Sequence, residues 1–373
     1  MSINKYSQSL ASTRLYEQET SLEFLAERHG LEQSNMIDFS LSVNPFGCSA
    51  GAIDAISLSL GQVQLYPDVN LSELRLALSS KHCQSPDRFF FGGGLDDVIK
   101  LLLQAWASEG DKVLIHLPTF PRYALEARLR GCQVISVQGE VATQFDAERY
   151  ERALQKDDIS VAFICTPNNP TGEIIPVEVI EHLAGAYPDT IFVVDEALIN
   201  PIKEGAVGLV DRFDNVAILR TFSKFFGLAG MRVGYAIANQ KLIDIANIGR
   251  PPFNVSLPAA VAAIAALQDE NFLRQCSEKF LEESTYFRAQ LSSHPSVRVV
   301  GCHGNMMLLE LASCSSAEVA SMLASQGIVV ADATSFDGLQ NTATLRVSLK
   351  GREQNERLIA SLRNIDCETA TVR

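Results

Sequence analysis

Six short apolar runs, separated by helix-like stretches, occupy the middle of the chain and constrain its fold more than any other feature. The runs cover residues 112–116, 133–137, 160–165, 190–195, 215–220 and 232–237. Continuous apolar strands that alternate with helices are typical of a mostly parallel sheet that is buried on both faces. The sequence therefore predicts an α/β fold with a mostly parallel central sheet between helices. Polar residues at the carboxyl ends of its strands are then candidates for a ligand site.

The domain organisation is indicated by a change of pattern near Arg250. Paired prolines follow this arginine and interrupt regular structure. A long helix is then predicted over residues 257–291, and shorter strand-like and helix-like segments come after it. We expect a large domain over residues 46–254 and a smaller α/β C-terminal domain over residues 255–373. An N-terminal segment, residues 1–45, is expected to pack with the small domain.

Charge and composition argue against several classes of function. The 373 residues carry a formal net charge of −13 and no basic run, so nucleic acid and anionic membrane surfaces are poor partners. Residues 1–20 have no apolar core, so we expect no signal peptide, and no apolar stretch is long enough to span a bilayer. Eight cysteines without a Cys-x-x-Cys pair indicate free thiols in a reducing cytoplasm, and six histidines without ligand spacing argue against a metal site.

Lys224 lies in the most informative segment of the chain. The hydroxyls of Thr221 and Ser223 precede it, and Arg232 follows after several small residues. Two hydroxyls and a guanidinium can bind a phosphate dianion, and a lysine beside them can form an imine with an aldehyde. The segment resembles the lysine segment of class I and II aminotransferases, which are fold-type I enzymes dependent on pyridoxal 5'-phosphate (PLP). This resemblance implies a large PLP-binding domain, with Lys224 as covalent anchor and general base.

Further segments match the same family in chain order. A glycine turn that enters a helix contains Gly93, Gly94 and Leu95, whose exposed N–H groups suit a phosphate. The sequence Thr-Pro-Asn-Asn-Pro-Thr-Gly resembles the family's Asn-Pro-Thr-Gly signature, in which Asn169 donates to the phenolic oxygen of PLP. Asp195 ends a buried strand, where a carboxylate needs a partner. The resemblance implies that this partner is the protonated pyridine nitrogen.

Three more side chains complete the site that the resemblance implies. Tyr123, with Phe120 close by, stacks on the pyridine ring and counts among the catalytic residues. Arg346 grips the substrate's α-carboxylate in a bidentate fork. Tyr66 reaches the phosphate of the neighbouring subunit's PLP, which implies a homodimer with shared active sites. The matching segments span residues 66–346, and they are similar to those of histidinol-phosphate aminotransferase and threonine-phosphate decarboxylase.

Two departures from the family's pattern concern the reaction. Aminotransferases of this group usually carry a tyrosine three residues after the pyridine aspartate, where this chain has Leu198. Relatives that bind phosphorylated substrates resemble Gly-Ile-x-Val-Arg, where this chain ends in Ala331 and continues with an acid. A phosphate would meet carboxylates there, which is unfavourable, whereas a cationic side chain would fit. The predicted substrate-binding residues are accordingly Arg346, Asn169, Glu17, Glu19, Thr20 and Asp332.

These observations predict an enzyme that acts on a small free amino acid with a guanidino, non-phosphorylated side chain. With Leu198 in place of tyrosine, α-proton removal followed by elimination and cyclisation is expected, as in the PLP-dependent cyclases of hydroxyarginines. Three alternatives stay open: an aminotransferase of the histidinol-phosphate aminotransferase type, a threonine-phosphate decarboxylase, and a non-enzymatic PLP sensor. Transamination predicts a 2-oxo acid co-substrate, whereas decarboxylation predicts release of carbon dioxide.

Overall fold

The computed structural model describes residues 21–312 and 314–365, which form a large and a small domain. The strands, in chain order, are β1 (Ile37–Asp38), β2 (Phe89–Gly92), β3 (Lys112–Leu117), β4 (Gln133–Gln138), β5 (Ile159–Cys165), β6 (Ile191–Asp195), β7 (Val216–Thr221), β8 (Gly234–Ala238), β9 (Val297–His303), β10 (Met306–Leu311), β11 (Ile328–Val329), β12 (Ala331–Asp332) and β13 (Thr344–Ser348). The helices are α1 (Leu22–His29), α2 (Ala50–Ser59), α3 (Ser72–His82), α4 (Leu95–Trp106), α5 (Arg122–Leu129), α6 (Ala147–Lys156), α7 (Val177–Ala186), α8 (Gln240–Gly249), α9 (Leu257–Gln268), α10 (Glu270–Leu291), α11 (Ser316–Ser325) and α12 (Arg352–Arg363).

A seven-stranded sheet forms the centre of the large domain, in the order β2-β8-β7-β6-β5-β3-β4. The strands from β7 to β4 run parallel to one another, whereas β8 runs antiparallel to both β7 and β2. Each of the six apolar runs found in the sequence coincides with one of these strands to within two residues. The prediction of a mostly parallel central sheet in an α/β fold is therefore confirmed.

Helices cover both faces of this sheet because alternate side chains of each strand point to opposite faces. In β5, Ala162 and Ile164 pack in one core with α3, α6, α7 and α9. Val161 and Phe163 pack in a second core with α4, α5 and α8. The same alternation places Val193 of β6 in the second core, so Asp195, two residues later, points toward α4 and α5.

The small domain is built on a four-stranded antiparallel sheet in the order β12-β13-β10-β9. The helices α10, α11 and α12 cover one face, where Phe287, Leu309 and Leu345 are fully buried. The N-terminal strand β1 pairs in parallel with β11, and Phe39 belongs to the same core. The start of the described chain is thus built into the small domain.

The long helix predicted over residues 257–291 is instead two helices. Asp269 separates them, and its carboxylate accepts a hydrogen bond from Phe272 N at 3.0 Å, which caps the start of α10. The first helix, α9, is rich in alanine and packs in the core of the large domain against α2 and α3. The helix α9 thus packs with elements that precede residue 254, and the domain boundary at that residue stays a prediction.

The described residues bear on the expected free thiols and on the expected absence of a membrane span. Six of their cysteines are free thiols, but Cys314 is disulfide-bonded, so the expectation of free thiols throughout is wrong. Within residues 21–312 and 314–365, no helix combines the length and the apolar character needed to cross a bilayer.

Candidate active site

The carboxyl ends of three parallel strands bring the predicted site residues to one edge of the central sheet. Cys165 at the end of β5 is in register with Asp195 at the end of β6. The neighbouring strand β7 ends at Thr221, and the lysine loop, residues 222–233, follows it and carries Lys224. Asn169 lies in the turn after β5. Sequence positions that are far apart thus meet at the edge where open α/β sheets bind ligands.

Asp195 is a buried carboxylate held from two sides. Its Oδ2 accepts a hydrogen bond from the Tyr123 hydroxyl at 2.6 Å, and its Oδ1 accepts one from Ala197 N at 2.8 Å. Burial raises the pKa of Asp195, whereas the two hydrogen bonds and the charge of Lys224 act in the opposite direction. Such a carboxylate suits a cationic partner in a site sheltered from water, and a protonated pyridine nitrogen is such a partner.

Tyr123 does not have the role expected of it. Its ring is completely buried and stacks on Phe163, with ring centroids 4.5 Å apart and an interplanar angle of 11°. No face of the phenol is open to a ligand ring, so the structure contradicts the predicted stacking on the pyridine. Tyr123 instead orients Asp195 through its hydroxyl. Phe120, partly exposed after β3 and edge-on to Tyr123, is the aromatic side chain that remains for stacking.

A cradle for a phosphate lies at the amino end of α4. Arg232 Nη1 is 3.5 Å from Ser223 Oγ, and a Cβ added to Gly94 would lie 2.3 Å from Arg232 Nη2. Gly94 has φ +90°, a conformation that favours glycine, and the N–H of Leu95 opens the helix. Hydroxyl, guanidinium and helix-terminal N–H donors therefore converge where a missing Cβ leaves room. This donor set fits the phosphate group of PLP.

Two other residues of the predicted phosphate site shape its turns instead. The Thr221 hydroxyl donates to Val233 O at 3.2 Å and accepts from Ser223 N at 3.1 Å. The N–H of Gly93 donates to Asp97 Oδ2 at 2.9 Å. That N–H is bonded within the turn, so binding of the phosphate by Gly93 stays a prediction. Thr221 and Gly93 hold the two turns that present the cradle.

Arg346 lies at the opposite wall of the site, on β13 of the small domain. Its Nη1 donates to Asn169 Oδ1 at 3.0 Å, and its Nη2 donates to Ser40 O at 2.7 Å. The guanidinium also lies over the ring of Phe336, with 5.5 Å between its carbon and the ring centroid. The arginine is thereby aimed at the turn that carries Asn169, in a pose that suits a carboxylate fork.

The predicted acidic pocket for a cationic side chain is not supported. Asp332 pairs with Leu345 across the sheet, on the opposite face from Arg346, which pairs with Ala331. Its Oδ1 accepts hydrogen bonds from Ser316 Oγ at 2.8 Å and from the backbone and hydroxyl of the next turn. The expectation that Asp332 binds substrate is therefore wrong, because alternation along β12 directs it toward α11. The other predicted members of the pocket lie outside the described residues: Glu17, Glu19 and Thr20.

Leu198 is buried, whereas Tyr66 is exposed on the single chain. Leu198 is buried in the turn after β6, three residues beyond Asp195, and supplies no hydroxyl. Tyr66 is 82 % exposed on the single chain and stacks on Phe253, with ring centroids 4.6 Å apart. The role of Tyr66 at the phosphate of a neighbouring subunit's PLP stays a prediction.

Sequence reasoning missed a buried ion pair beside Asp195. Arg220 Nε and Nη2 donate to Glu196 Oε2 at 3.0 and 2.8 Å, and Ala206 N donates to the other carboxylate oxygen at 2.6 Å. Both charged side chains are almost completely buried. The sequence does contain a signal for this pair, because Glu196 follows one apolar run and Arg220 ends another. Charged residues at the ends of buried strands require partners.

Comparison with known proteins agrees with this fold and site. The family model for aminotransferase class I and II matches residues 34–362. A histidinol-phosphate aminotransferase from Sulfurimonas denitrificans is 31% identical over 362 residues, which is 95% of this chain and 97% of that protein. A solved histidinol-phosphate aminotransferase from Sinorhizobium meliloti, in complex with PLP, superposes with a TM-score of 0.84 at 22% identity, covering 96% of this chain and 97% of that chain. A threonine-phosphate decarboxylase structure from Porphyromonas gingivalis gives a TM-score of 0.76 at 23% identity, covering 88% of this chain and 98% of that chain.

The fold and the site thus define a PLP-dependent enzyme of fold type I. The sheet edge where such a cofactor binds carries Lys224, the buried Asp195 and the phosphate cradle around Arg232. The chain belongs to the class I and II aminotransferase family, whose model covers most of its length. Among relatives within that family, it is similar to histidinol-phosphate aminotransferases.

Proposed function

We propose that this enzyme is an aminotransferase that exchanges the amino group of an α-amino acid with a 2-oxo acid. The observation that carries the proposal is the placement of Arg346, whose Nη1 lies 3.0 Å from Asn169 Oδ1 at the mouth of the Lys224 site. A carboxylate bound by this fork lies beside a residue that is expected to contact PLP. The family membership and the histidinol-phosphate aminotransferase relatives support amino-group transfer as the reaction type.

Each residue has a definite task in this proposal. When bound, PLP supplies an electron sink for the carbon that carries the amino group. The amine of Lys224 takes up and returns the proton of that carbon as general base and acid. Asp195, whose Oδ2 accepts a hydrogen bond from the Tyr123 hydroxyl, would hold the protonated ring nitrogen of the cofactor. Arg346 orients the substrate through its carboxylate, and Arg232 retains the cofactor through its phosphate.

The wall around Arg346 favours a substrate without a phosphate. On the same face of the small sheet, its strand neighbours are Ala331 and Leu308, and Phe336 packs against the guanidinium. These apolar side chains offer no second cation for a phosphate dianion, which ordinarily binds to several charged or N–H donors. Histidinol phosphate is the second candidate substrate, because the relative with 31% identity carries that name.

A single-turnover absorbance assay separates the candidates. Holoenzyme is mixed with a panel of amino acids, with histidinol phosphate and with hydroxylated arginines, and conversion to the amine form of the cofactor is followed. We expect stable conversion with an α-amino acid and reversal by 2-oxoglutarate. Conversion by histidinol phosphate alone would assign the second candidate. Loss of water from a hydroxyarginine, without a stable spectral change, would contradict transamination and restore the cyclase hypothesis.

We also infer a homodimer with shared active sites. Tyr66 stacks on Phe253, and other large apolar side chains of the same domain are also exposed, which suits contact with a second copy. The exposed group comprises Leu58, Leu60, Val63, Leu65, Tyr66, Ile248 and Phe253. Sedimentation of the holoenzyme at several concentrations tests this assembly, and a monomer at micromolar concentration would refute it. Tyr66→Phe is then expected to weaken PLP binding without dissociating the dimer, because only the hydroxyl is lost.

A further inference from the structure

The strap, residues 39–49, connects β1 with α2 and is bound at its start to the small domain. Ser348 N donates to Phe39 O at 2.7 Å. Arg346 Nη2 donates to Ser40 O at 2.7 Å, and this hydrogen bond is buried. The beginning of the strap is therefore part of the surroundings of the arginine that grips the substrate carboxylate.

The middle of the strap is joined to the hairpin turn between β9 and β10. Ser42 Oγ donates to Asn305 Oδ1 at 2.9 Å, and Asn305 Nδ2 donates to Val43 O at 2.8 Å. The amide of Asn305 thus uses both its acceptor and its donor on the strap. The strap cannot shift along this turn without breaking these two hydrogen bonds, of which the one to Ser42 is buried, and leaving a buried polar group unpaired is costly.

The end of the strap is attached to the lysine loop by Asn44. Its side-chain Nδ2 donates to Phe225 O at 2.7 Å and approaches Cys276 Sγ at 3.4 Å. Its Oδ1 accepts from Phe46 N at 2.9 Å, and the side chain is buried. Asn44 therefore connects the strap with the peptide that follows Lys224 and with α10.

Backbone contact reinforces this attachment. A Cβ added to Gly227 would lie 2.0 Å from Gly47 O, so the strap and the lysine loop touch directly through glycine. Gly227 has φ +72°, and its N–H donates to Lys224 O at 3.0 Å, which closes the loop on itself. The loop is thus held internally by its own turn and externally by the strap.

Aromatic packing completes the anchor. The Phe225 ring lies 4.9 Å from that of Phe280 on α10, and Phe46 of the strap lies 5.1 Å from the same ring. These rings and Cys276 form a small buried cluster of their own. The lysine loop, the strap and α10 therefore share one apolar contact beside the Asn44 amide.

We propose that Asn44 is a positioning residue for Lys224, because it fixes the carbonyl of the next residue to the strap that Arg346 also holds. The proposal rests on Lys224 and Arg346 having the roles given under the proposed function. Loss of the Asn44 amide frees the Phe225 carbonyl and lets the loop adopt other conformations. The ε-amine of Lys224 then spends less time beside Asp195. Small displacements of a reacting group lower the rate of the reaction.

The test compares Asn44→Ala and Asn44→Asp with a matched control, Asn215→Ala. Asn215 also joins separate segments, since its Nδ2 shares its two N–H groups among Ala184 O, Tyr187 O and Thr190 O at 3.2, 3.1 and 2.9 Å. It precedes β7 and so lies at the opposite edge of the sheet from Lys224. Holoenzyme of each variant is titrated by absorbance for the pH midpoint of the lysine-bound cofactor. The rate of cofactor release by hydroxylamine is measured in parallel, with thermal unfolding as the measure of stability.

We expect both Asn44 variants to move the pH midpoint by about half a unit or more and to change the hydroxylamine rate several-fold. Asn215→Ala should leave both quantities at their wild-type values at a similar loss of thermal stability. Equal behaviour of Asn44→Ala and Asn215→Ala would overturn the proposal. If Asn44→Ala does not fold, the same comparison is made with Asn44→Asp, which keeps the shape of the side chain. Neither readout needs a substrate, so failure of the transamination proposal would be seen separately.

Discussion

The buried ion pair between Arg220 and Glu196 is expected to be costly to break. Arg220→Met removes two hydrogen bonds to Glu196 Oε2, of 3.0 and 2.8 Å, from a pair whose side chains are 5% and 2% exposed. The carboxylate is left buried without its cationic partner, and only the Ala206 N–H of its described donors remains. Removal of one partner from such a pair costs about 3–5 kcal/mol, because the other charge remains buried and unpaired. We therefore expect the variant to lose about that much of the free energy of unfolding near neutral pH.

The cost should depend on pH in a definite direction. Burial raises the pKa of Glu196, and the charge of Arg220 opposes this rise. Without Arg220, the pKa of Glu196 rises further above its ordinary value of 4.5. A carboxyl group whose folded pKa exceeds its unfolded pKa adds stability below the unfolded pKa and loses it as pH rises through the folded pKa. The deficit of Arg220→Met relative to wild type is thus expected to be smaller near pH 5 than near pH 8.

Urea unfolding followed by fluorescence measures this deficit, because Trp106 is the only tryptophan and lies in the large domain. Arg212→Met is the control, since its ion pair with Glu181 is on the surface of the same domain and should contribute little. Replacement of both Arg220 and Glu196 by apolar residues should recover much of the loss. An Arg220→Met deficit no larger than that of Arg212→Met, or one independent of pH, would refute this reasoning.

Three further predictions concern the site. Lys224→Ala should lower turnover by about 10²–10⁴-fold and abolish fixation of PLP at this residue by borohydride, as read by mass spectrometry. Gly94→Ala places a Cβ 2.3 Å from Arg232 Nη2, so we expect weaker PLP binding; about tenfold or more is expected by equilibrium dialysis, and unchanged affinity would count against the cradle. Arg346→Lys keeps the charge but loses the fork, so KM for the amino acid should rise about 10–100-fold with a smaller change in kcat, whereas equal KM values would contradict its role.

The elements of the fold were predictable because their signals are local. Buried strands are recognisable in the sequence as apolar runs, and the alternation of such runs with helices indicates a mostly parallel sheet. The antiparallel direction of β8 was not predictable, since an apolar run reads the same in both directions. The break at Asp269 was missed because an acid inside a helical pattern also reads as a solvent-facing residue.

The site residues were predictable only where a residue and its sequence neighbours form a recognisable motif. Lys224, Asp195 and the glycine turn each lie in a recognisable segment at a strand end. The face of β12 on which Asp332 lies was not predictable, because it depends on how β12 is paired with the strand that carries Arg346. The role of Tyr123 was also not predictable, because its position toward Asp195 or a ligand depends on how α5 packs on β5 and β6.

By itself, the sequence determined most of the secondary elements, the cofactor class and the order of the site segments along the chain. Tertiary structure alone decided which side chains meet, because those contacts join positions far apart in the chain. Tyr123 and Asp195 are 72 residues apart, Arg346 and Asn169 are 177 apart, and Asn44 and Phe225 are 181 apart. Periodicity assigns a residue to a face of its own helix or strand. The partner across that face is chosen by packing of the whole chain, where burial makes each unpaired polar group costly.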